Sequence, residues 1–462
     1  MEVKKVLGRT LLAAAIFGAA SMVFADEDLG YISTDPSAAA VAVEPVDAEV
    51  PTTPPDAIGN AADDAYFISH QTAQQAWDII EIGGFLDGGA ILNTHGARYN
   101  MMSMNSDNQF NANAAYLRVL KKAQTGCGVF DWGFGADTFF GSEAKLYSGY
   151  VGLDSDWSVG HRSSKYNNNP LVGELTYEER ESYGFALPQL YGEFSANNWK
   201  FKIGHFYSLL GYEGVADNRF FYTYGRFIEA SPLTHTGAIA TYVGLQNTEL
   251  SLGWVAGEDN TFDRGYSENL ITGGVKLNNG GFASLKYAFV AGDGAMAGTG
   301  GDLFRNDVVV TANIGRGWEG ALLFNYGKFD GDVGMGTWGA TATIEDLAQY
   351  YGNLEYQTWG GYLYYTINPK WKLGARTEWQ RATAETGGVA HAPTDPGEEA
   401  VEFLEMTLGA NWTPTCYDNF VIRPEVRYDK AIIPFDEYAG LFGKGLSDDD
   451  QITLAVDVLY KY

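Results

Sequence analysis

The sequence is poor in the residues that build metal sites and reactive thiols. It has 462 residues but only 2 cysteines and 6 histidines. The histidines show no short spacing and two separated cysteines do not form a zinc site, so we expect no metal and no cofactor. Cys127 and Cys416 are instead candidates for one disulfide bond in an oxidising compartment. Phosphate-binding loops and dinucleotide fingerprints are also missing from the sequence.

Basic residues and long apolar runs are scarce too. There are 30 Lys and Arg residues against 58 Asp and Glu residues, a formal net charge of −28. A phosphate backbone would be repelled by this charge, so we expect no nucleic-acid partner. No window beyond the first 25 residues approaches the roughly twenty apolar residues that a membrane helix needs. If the protein spans a membrane, it must therefore do so as a closed β-barrel, because only helices and barrels satisfy every backbone group in lipid.

The amino-terminal part divides into two segments. A basic region, a short apolar run and small residues before a cut site give residues 1–25 the pattern of a secretory signal peptide. Residues 26–78 are rich in Ala, Pro and acidic residues and contain no Lys or Arg, which predicts a largely disordered periplasmic tether. We expect the folded barrel in residues 79–462.

The end of the chain carries the clearest strand pattern. Over residues 452–462, apolar side chains alternate with Thr453, Asp457 and Lys461, and the last residue is Tyr462. A segment of about ten residues with one apolar and one polar face, ending on an aromatic residue, is typical of the closing strand of an outer-membrane barrel. Taken alone, the same pattern also fits a half-buried strand of a soluble sandwich.

Similar strands fill the rest of the chain and favour the barrel. The connections between them alternate between short turns and long polar stretches, of which 143–187 and 211–235 are the largest. This regularity predicts an all-β, closed antiparallel transmembrane β-barrel of about 16 strands, with short periplasmic turns and long extracellular loops. The predicted strands are 80–94, 109–123, 129–142, 188–196, 199–210, 236–246, 248–257, 269–278, 281–292, 303–314, 318–330, 354–366, 371–383, 400–412, 419–430 and 449–462.

Charged residues follow one face of three late strands. If these strands are neighbours, the charges point into one sector of the lumen, where water or opposite charges must satisfy them. They either line a pore or form a packed lattice of ion pairs that stiffens the wall. Because acidic and basic residues alternate there while the loops are acidic, we expect a mild cation preference. The pore-lining candidates are Lys372, Arg376, Glu378, Glu405, Arg423, Glu425 and Arg427.

Two stretches resemble a known family. Residues 187–237 contain L-P-Q-L-Y-G-E-F, W-K-F-K-I-G-H-F-Y-S-L-L-G-Y-E and S-P-L-T-H-T-G, and residues 411–429 read N-W-T-P-T-C-Y-D-N-F-V-I-R-P-E-V-R-Y-D. This pattern resembles the putative beta-barrel porin-2 family of outer-membrane proteins, over about residues 80–462. The resemblance implies an outer-membrane, porin-like channel of undefined substrate.

The predicted function is passive diffusion of small hydrophilic solutes across the outer membrane. The alternative is a structural or surface-interaction barrel whose loops plug its lumen. An enzyme is not expected, although Ser231, His235 and Glu229 lie close in sequence, as a hydrolase site would need. The expected partners are outer-membrane lipid and lipopolysaccharide, the barrel-assembly machinery through the C-terminal strand, small solutes and further copies in a homo-oligomer.

Overall fold

The fold was analysed in a computed structural model. It describes residues 80–94, 110–126, 128–147, 183–259, 269–279, 281–296, 299–331, 353–385, 400–414, 419–432, 442 and 448–462. The predicted signal peptide, the predicted tether and the two cysteines Cys127 and Cys416 lie outside the described residues. In the part of the chain that is described, no helix is long and apolar enough to cross a membrane.

Sixteen strands account for most of the described chain. Each strand is hydrogen-bonded in antiparallel fashion to its neighbours in sequence, so that the chain forms one meander. The strands are β1 Glu81–Asn93, β2 Phe110–Lys121, β3 Phe130–Gly141, β4 Gly184–Ala196, β5 Trp199–Tyr207, β6 Thr234–Leu245, β7 Thr248–Val255, β8 Asn269–Asn278, β9 Ala283–Met296, β10 Thr299–Gly315, β11 Trp318–Gly331, β12 Asn353–Asn368, β13 Trp371–Glu385, β14 Ala400–Trp412, β15 Phe420–Ile432 and β16 Asp450–Lys461.

The meander closes because the last strand pairs with the first. In the β1–β16 register Phe85 lies opposite Lys461 and Asn93 lies opposite Thr453. One residue past the end of β16, Tyr462 O accepts a hydrogen bond from Gly84 N of β1 at 3.1 Å. Closure removes both sheet edges, so every wall strand has two hydrogen-bonded neighbours. The predicted closed antiparallel barrel of sixteen strands is confirmed.

Side-chain parity follows the prediction as well. On β16, Ile452, Leu454 and Val456 face outward and are exposed, whereas Thr453 and Asp457 face inward and are buried. An apolar outer face with polar residues inside is the pattern of a barrel that meets lipid on its outer surface.

Three of the short connections have tight-turn backbone geometry. Asn197, Asn247 and Arg316 adopt positive φ values of 54°, 57° and 54°. Asparagine tolerates this left-handed conformation better than most residues, and tight hairpins require it. These turns gather at one end of the barrel, called here the short-turn end; the other is the long-loop end.

Several strand boundaries differ from the prediction. Strand β9 runs to Met296 rather than to residue 292, and β10 begins at Thr299 rather than at residue 303. Two other differences have identifiable reasons. Strand β4 begins at Gly184 rather than at Pro188, because the β3–β4 register shifts between Asp137 and Phe139, and such an irregularity accommodates a proline. Strand β5 ends at Tyr207 rather than near residue 210, because the chain leaves the wall there and turns into the lumen.

Candidate functional site: the barrel lumen

The connection between β5 and β6 lies inside the barrel. Residues 208–233, called here the inner segment, leave and rejoin the wall at adjacent points, where Ser208 N donates to Leu233 O at 2.9 Å. The side chains of Ala216, Tyr222 and Tyr224 have no exposed surface. This position differs from the sequence prediction, in which parity and turn signals make 211–235 one of the long extracellular loops. Its run of aromatic residues explains the inward position, since such side chains gain most when they are buried.

Arg376 on β13 joins the wall to the inner segment. Its Nη1 donates to Glu213 Oε1 at 2.8 Å and to Thr223 O at 2.9 Å, both in the inner segment. Its Nη2 lies 3.1 Å from Oε1 of Glu405 on β14. The Phe221 ring lies 4.7 Å from the guanidinium carbon. One arginine therefore holds two wall strands and the inner segment together.

Two wall carboxylates accept backbone hydrogen bonds from the inner segment. Glu378 Oε2 accepts from Phe227 N at 2.8 Å, and its Oε1 accepts from Tyr362 Oη at 2.7 Å. Glu425 Oε2 accepts from Tyr222 N at 2.8 Å. An irregular buried segment has no strand neighbour for its N–H groups, so these carboxylates supply the acceptors that it lacks.

Arg423 and Arg427 on β15 complete this side of the lumen. Arg423 Nε donates to Asp457 Oδ1 at 2.9 Å, and its Nη1 donates to Ala216 O at 2.7 Å. Arg427 Nη2 lies 2.7 Å from Asp429 Oδ1, and its Nη1 donates to a backbone carbonyl of the inner segment. Each buried guanidinium thus has a carboxylate and a backbone partner, as buried charge requires.

Lys372 is separate from the other six candidates. Its ammonium pairs with Glu319 Oε2 at 2.8 Å and lies 5.2 Å from the centre of the Tyr364 ring, at the short-turn end. The structure therefore brings six of the seven predicted residues together around the inner segment and places Lys372 near the barrel mouth.

The opposite wall holds both ends of the inner segment. Asp307 Oδ2 on β10 accepts from Gly211 N at 2.5 Å and from Ser231 Oγ at 2.8 Å. Asn325 Nδ2 on β11 donates to Ala230 O at 3.1 Å. We call these five residues the clasp. Because one carboxylate binds residues twenty positions apart, the clasp closes the inner segment into a loop across the lumen.

Sequence reasoning missed the clasp, although a signal for it exists. Asp307 and Asn325 lie opposite each other on β10 and β11 at inward positions and are fully buried. Asn325 interrupts an apolar stretch, and Asp307 directly precedes one. Polar residues at buried positions are expected to have specific partners. The partner, however, comes from a segment that no strand pattern predicts.

The residues considered for hydrolysis have different partners in the structure. Ser231 Oγ donates to Asp307, whereas His235 Nε2 lies 3.0 Å from Ser208 Oγ. The side chain of Glu229 lies outside the described part. The described contacts therefore give Ser231 and His235 structural roles at the two ends of the inner segment.

Two half-buried carboxylates follow β7 beside the end of the inner segment. Asp259 Oδ1 accepts from Leu233 N and from Thr234 N, each at 2.8 Å. Glu258 Oε2 lies 3.0 Å from Arg305 Nη2. Burial raises the pKa of the Glu258 carboxyl to about 7 and that of Asp259 to about 6.

The comparison to known families agrees with the closed barrel. The family described as "Putative beta-barrel porin-2, OmpL-like" matches residues 79–462. The chain belongs to this porin family. No curated protein sequence matches the porin.

Solved structures show the same fold. An anion-selective porin from Comamonas acidovorans superposes with a TM-score of 0.53 at 11% identity, covering 84% of this porin and 100% of that chain. The outer membrane channel DcaP of Acinetobacter baumannii superposes with a TM-score of 0.52 at 13% identity, covering 83% and 97%. At these identities the likeness establishes the fold alone.

Proposed function

We propose that this porin is an outer-membrane channel for passive diffusion of small hydrophilic solutes. In this proposal residues 1–25 direct export, residues 26–78 are a periplasmic tether, and the short turns face the periplasm. Membership of a porin family supports the assignment. Sixteen strands also enclose a lumen wide enough for water, whereas smaller barrels fill theirs with side chains.

The observation that carries the proposal is the inner segment, bound to the wall on two sides. The paired residues on β13 to β15 hold one side of it and the clasp holds the other. We infer that Arg376, Glu378, Glu405, Arg423, Glu425 and Arg427 act by fixing this segment, and hence the width of the channel. Lys372 would instead line the periplasmic mouth.

The solute path in this proposal follows the wall from β5 to β8. Inward-facing Lys200, Thr241, Ser251 and Lys276 remain half-buried there, in contrast to the buried charges on β13 to β15. The hydroxyl oxygens of Thr241 and Ser251 lie 2.9 Å apart. Hydroxyl and ammonium groups on an accessible inner face would solvate polar solutes during passage.

A second candidate is a barrel closed by its own inner segment. Leu210 packs in a buried apolar cluster with Phe206, Ile239, Val255 and Val290 of the wall. An apolar cluster inside the lumen opposes the passage of ions, because charged solutes would lose their hydration there. This observation favours the structural alternative.

Single-channel conductance after reconstitution into bilayers tests both candidates. The wild type is expected to conduct, and Asp307→Ala, which releases both ends of the inner segment, is expected to conduct more or with larger fluctuations. Asp330→Ala removes an outward-facing carboxylate and serves as the matched control. A wild type that is silent while Asp307→Ala conducts would establish the closed barrel instead.

The proposed surroundings follow from the membrane assignment. We infer contact with outer-membrane lipid and lipopolysaccharide, insertion by the barrel-assembly machinery through β16, and association into a homo-oligomer. The apolar outward face of β16 supports the first two, since it is continuous along the strand.

A further inference from the structure

The three successive odd-numbered strands β11, β13 and β15 share one pattern of outward-facing residues. An aromatic residue stands at the start of each strand, and a Lys or Arg follows exactly ten positions later on the same face. The three pairs are Trp318 and Lys328 on β11, Trp371 and Arg381 on β13, and Phe420 and Lys430 on β15.

The strand register keeps these residues in step. Trp318 pairs with a residue of β12, and that residue pairs with the position on β13 that lies two residues after Trp371. Following the pairs from Lys328 in the same way leads to the position two residues after Arg381. The same offset of two separates Arg381 from Lys430 between β13 and β15. Because the strands of a barrel are tilted and staggered, a constant offset places the three cations along one level of the wall.

The spacing matches the apolar band of a membrane. Ten residues of a strand tilted by about 40° rise roughly 25 Å, which is the height of the apolar band on an outer-membrane barrel. The aromatic residues therefore mark the interface at the short-turn end, and the cations mark the interface at the long-loop end. A second aromatic residue stands two positions before each cation, at the depth expected for an interfacial belt. These residues are Tyr326, Trp379 and Tyr428.

Each cation has a partly exposed side chain and a carboxylate partner. The exposed fractions of Lys328, Arg381 and Lys430 are 38%, 40% and 37%. Their nitrogen atoms lie 2.8, 3.7 and 3.2 Å from carboxylate oxygens of neighbouring acidic residues. Ion pairs that are this exposed contribute little to stability, so an incoming anion can replace the carboxylate at small cost. The partners are Asp330, Glu402 and Asp449.

The pattern is not a general property of the wall. On β3 the same step of ten residues leads from Phe130 to Phe140, and both aromatic rings are exposed. A cation at the upper interface is therefore a feature of the arc from β11 to β15. We call Lys328, Arg381 and Lys430 the cationic arc.

We propose that the cationic arc binds the phosphate groups of lipid A in the outer leaflet. The inference rests on the proposed outer-membrane orientation and names the residues that bind the lipid partner. Ammonium and guanidinium groups recognise phosphate directly. The neighbouring carboxylates can hold divalent cations that bridge to further phosphates, and the aromatic residues below pack on the acyl boundary.

Binding of purified lipid A to the folded full-length porin in detergent tests the proposal. The variant K328Q/R381Q/K430Q removes the cationic arc, and the matched control K122Q/R316Q/K370Q removes three exposed cations at the short-turn end. Heat-modifiability on gels first confirms that both variants fold. We expect the arc variant to bind diphosphorylated lipid A on the order of a hundredfold more weakly than the wild type and the control.

Chemically dephosphorylated lipid A and phosphatidylglycerol complete the experiment. The wild type should prefer the diphosphorylated form to both. Equal affinity of the arc variant and the wild type would overturn the proposal, and so would wild-type binding that ignores the phosphates or favours phosphatidylglycerol. Conductance of the same preparations reports on the channel separately, because the cationic arc lies outside the lumen: a silent wild type that binds lipid A contradicts only the diffusion channel.

Discussion

At the scale of single residues, the lumen is organised by buried charges that need partners. The Glu378 carboxylate packs so closely against Gly225 of the inner segment that no side chain fits at position 225. An ideal Cβ at this position would lie 2.6 Å from both carboxylate oxygens of Glu378, which are already bound to Phe227 N and Tyr362 Oη. A close approach of this kind requires glycine.

Replacing this glycine tests the packing. We expect Gly225→Ala to displace the inner segment and to destabilise the fold by about 1–3 kcal/mol, as overpacking of a buried site does. Thermal unfolding followed on gels and single-channel conductance would both change. Gly192→Ala is the control, since nothing lies within 4 Å of its added Cβ. Equal behaviour of the two variants would contradict the tight contact.

Glu258 gives a prediction for the effect of pH. Its pKa of about 7 in the folded protein lies above its ordinary value of about 4.3. The stability that it contributes is therefore fully present below about pH 4 and is lost as the pH rises through 7. Between pH 5 and pH 8 the unfolding midpoint of Glu258→Gln should change less than that of the wild type. Glu249→Gln, at an exposed position on β7, should retain the wild-type change; a wild-type response in Glu258→Gln would refute the assignment.

At the scale of strands, alternation decides which face meets lipid. Leu252 and Ser251 are neighbours on β7, the first 60% exposed on the outer face and the second half-buried on the inner face. Leu252→Arg should lower the folding yield, because a cation near the middle of the bilayer costs about 2–4 kcal/mol. Ser251→Arg should fold nearly as well as the wild type. Heat-modifiability gels measure both, and equal yields would contradict the register.

Parity also shows how far prediction from sequence reaches. The period of two and the turn residues predict sixteen strands and their faces, because both depend on local chemistry. The inner segment could not be predicted in this way, since its partners lie up to 244 positions away, as for Lys461 and Asp217. From parity alone, for example, one would expect an arginine in place of Thr453 to be tolerated. In the structure Thr453 is fully buried and lies opposite Arg427, where a second cation would be repelled.

At the scale of the whole molecule, charge is distributed unevenly along the barrel. The cations of β13 to β15 are engaged by buried carboxylates, so their field at the lumen is largely cancelled. At the long-loop end, Asp448, Asp449 and Asp450 stand together at the start of β16, where Asp449 and Asp450 are bound on the outer face by Lys430 and Tyr428. Lys200 and Lys276 remain half-buried on the opposite inner face. Ion selectivity depends on which of these two groups acts on the permeating ion.

We expect the acidic mouth to prevail and to give a mild preference for cations. Exposed carboxylates at a pore entrance raise the local concentration of cations, and the effect fades when the Debye length falls from about 10 Å at 0.1 M salt to about 3 Å at 1 M. Reversal potentials under a potassium chloride gradient measure the preference. Asp448→Asn, which keeps the outer-face partners of Lys430 and Tyr428, should weaken it, whereas Lys370→Gln at the short-turn end should leave it nearly unchanged. A clear anion preference in the wild type would mean that the lysines of the inner face control the pore.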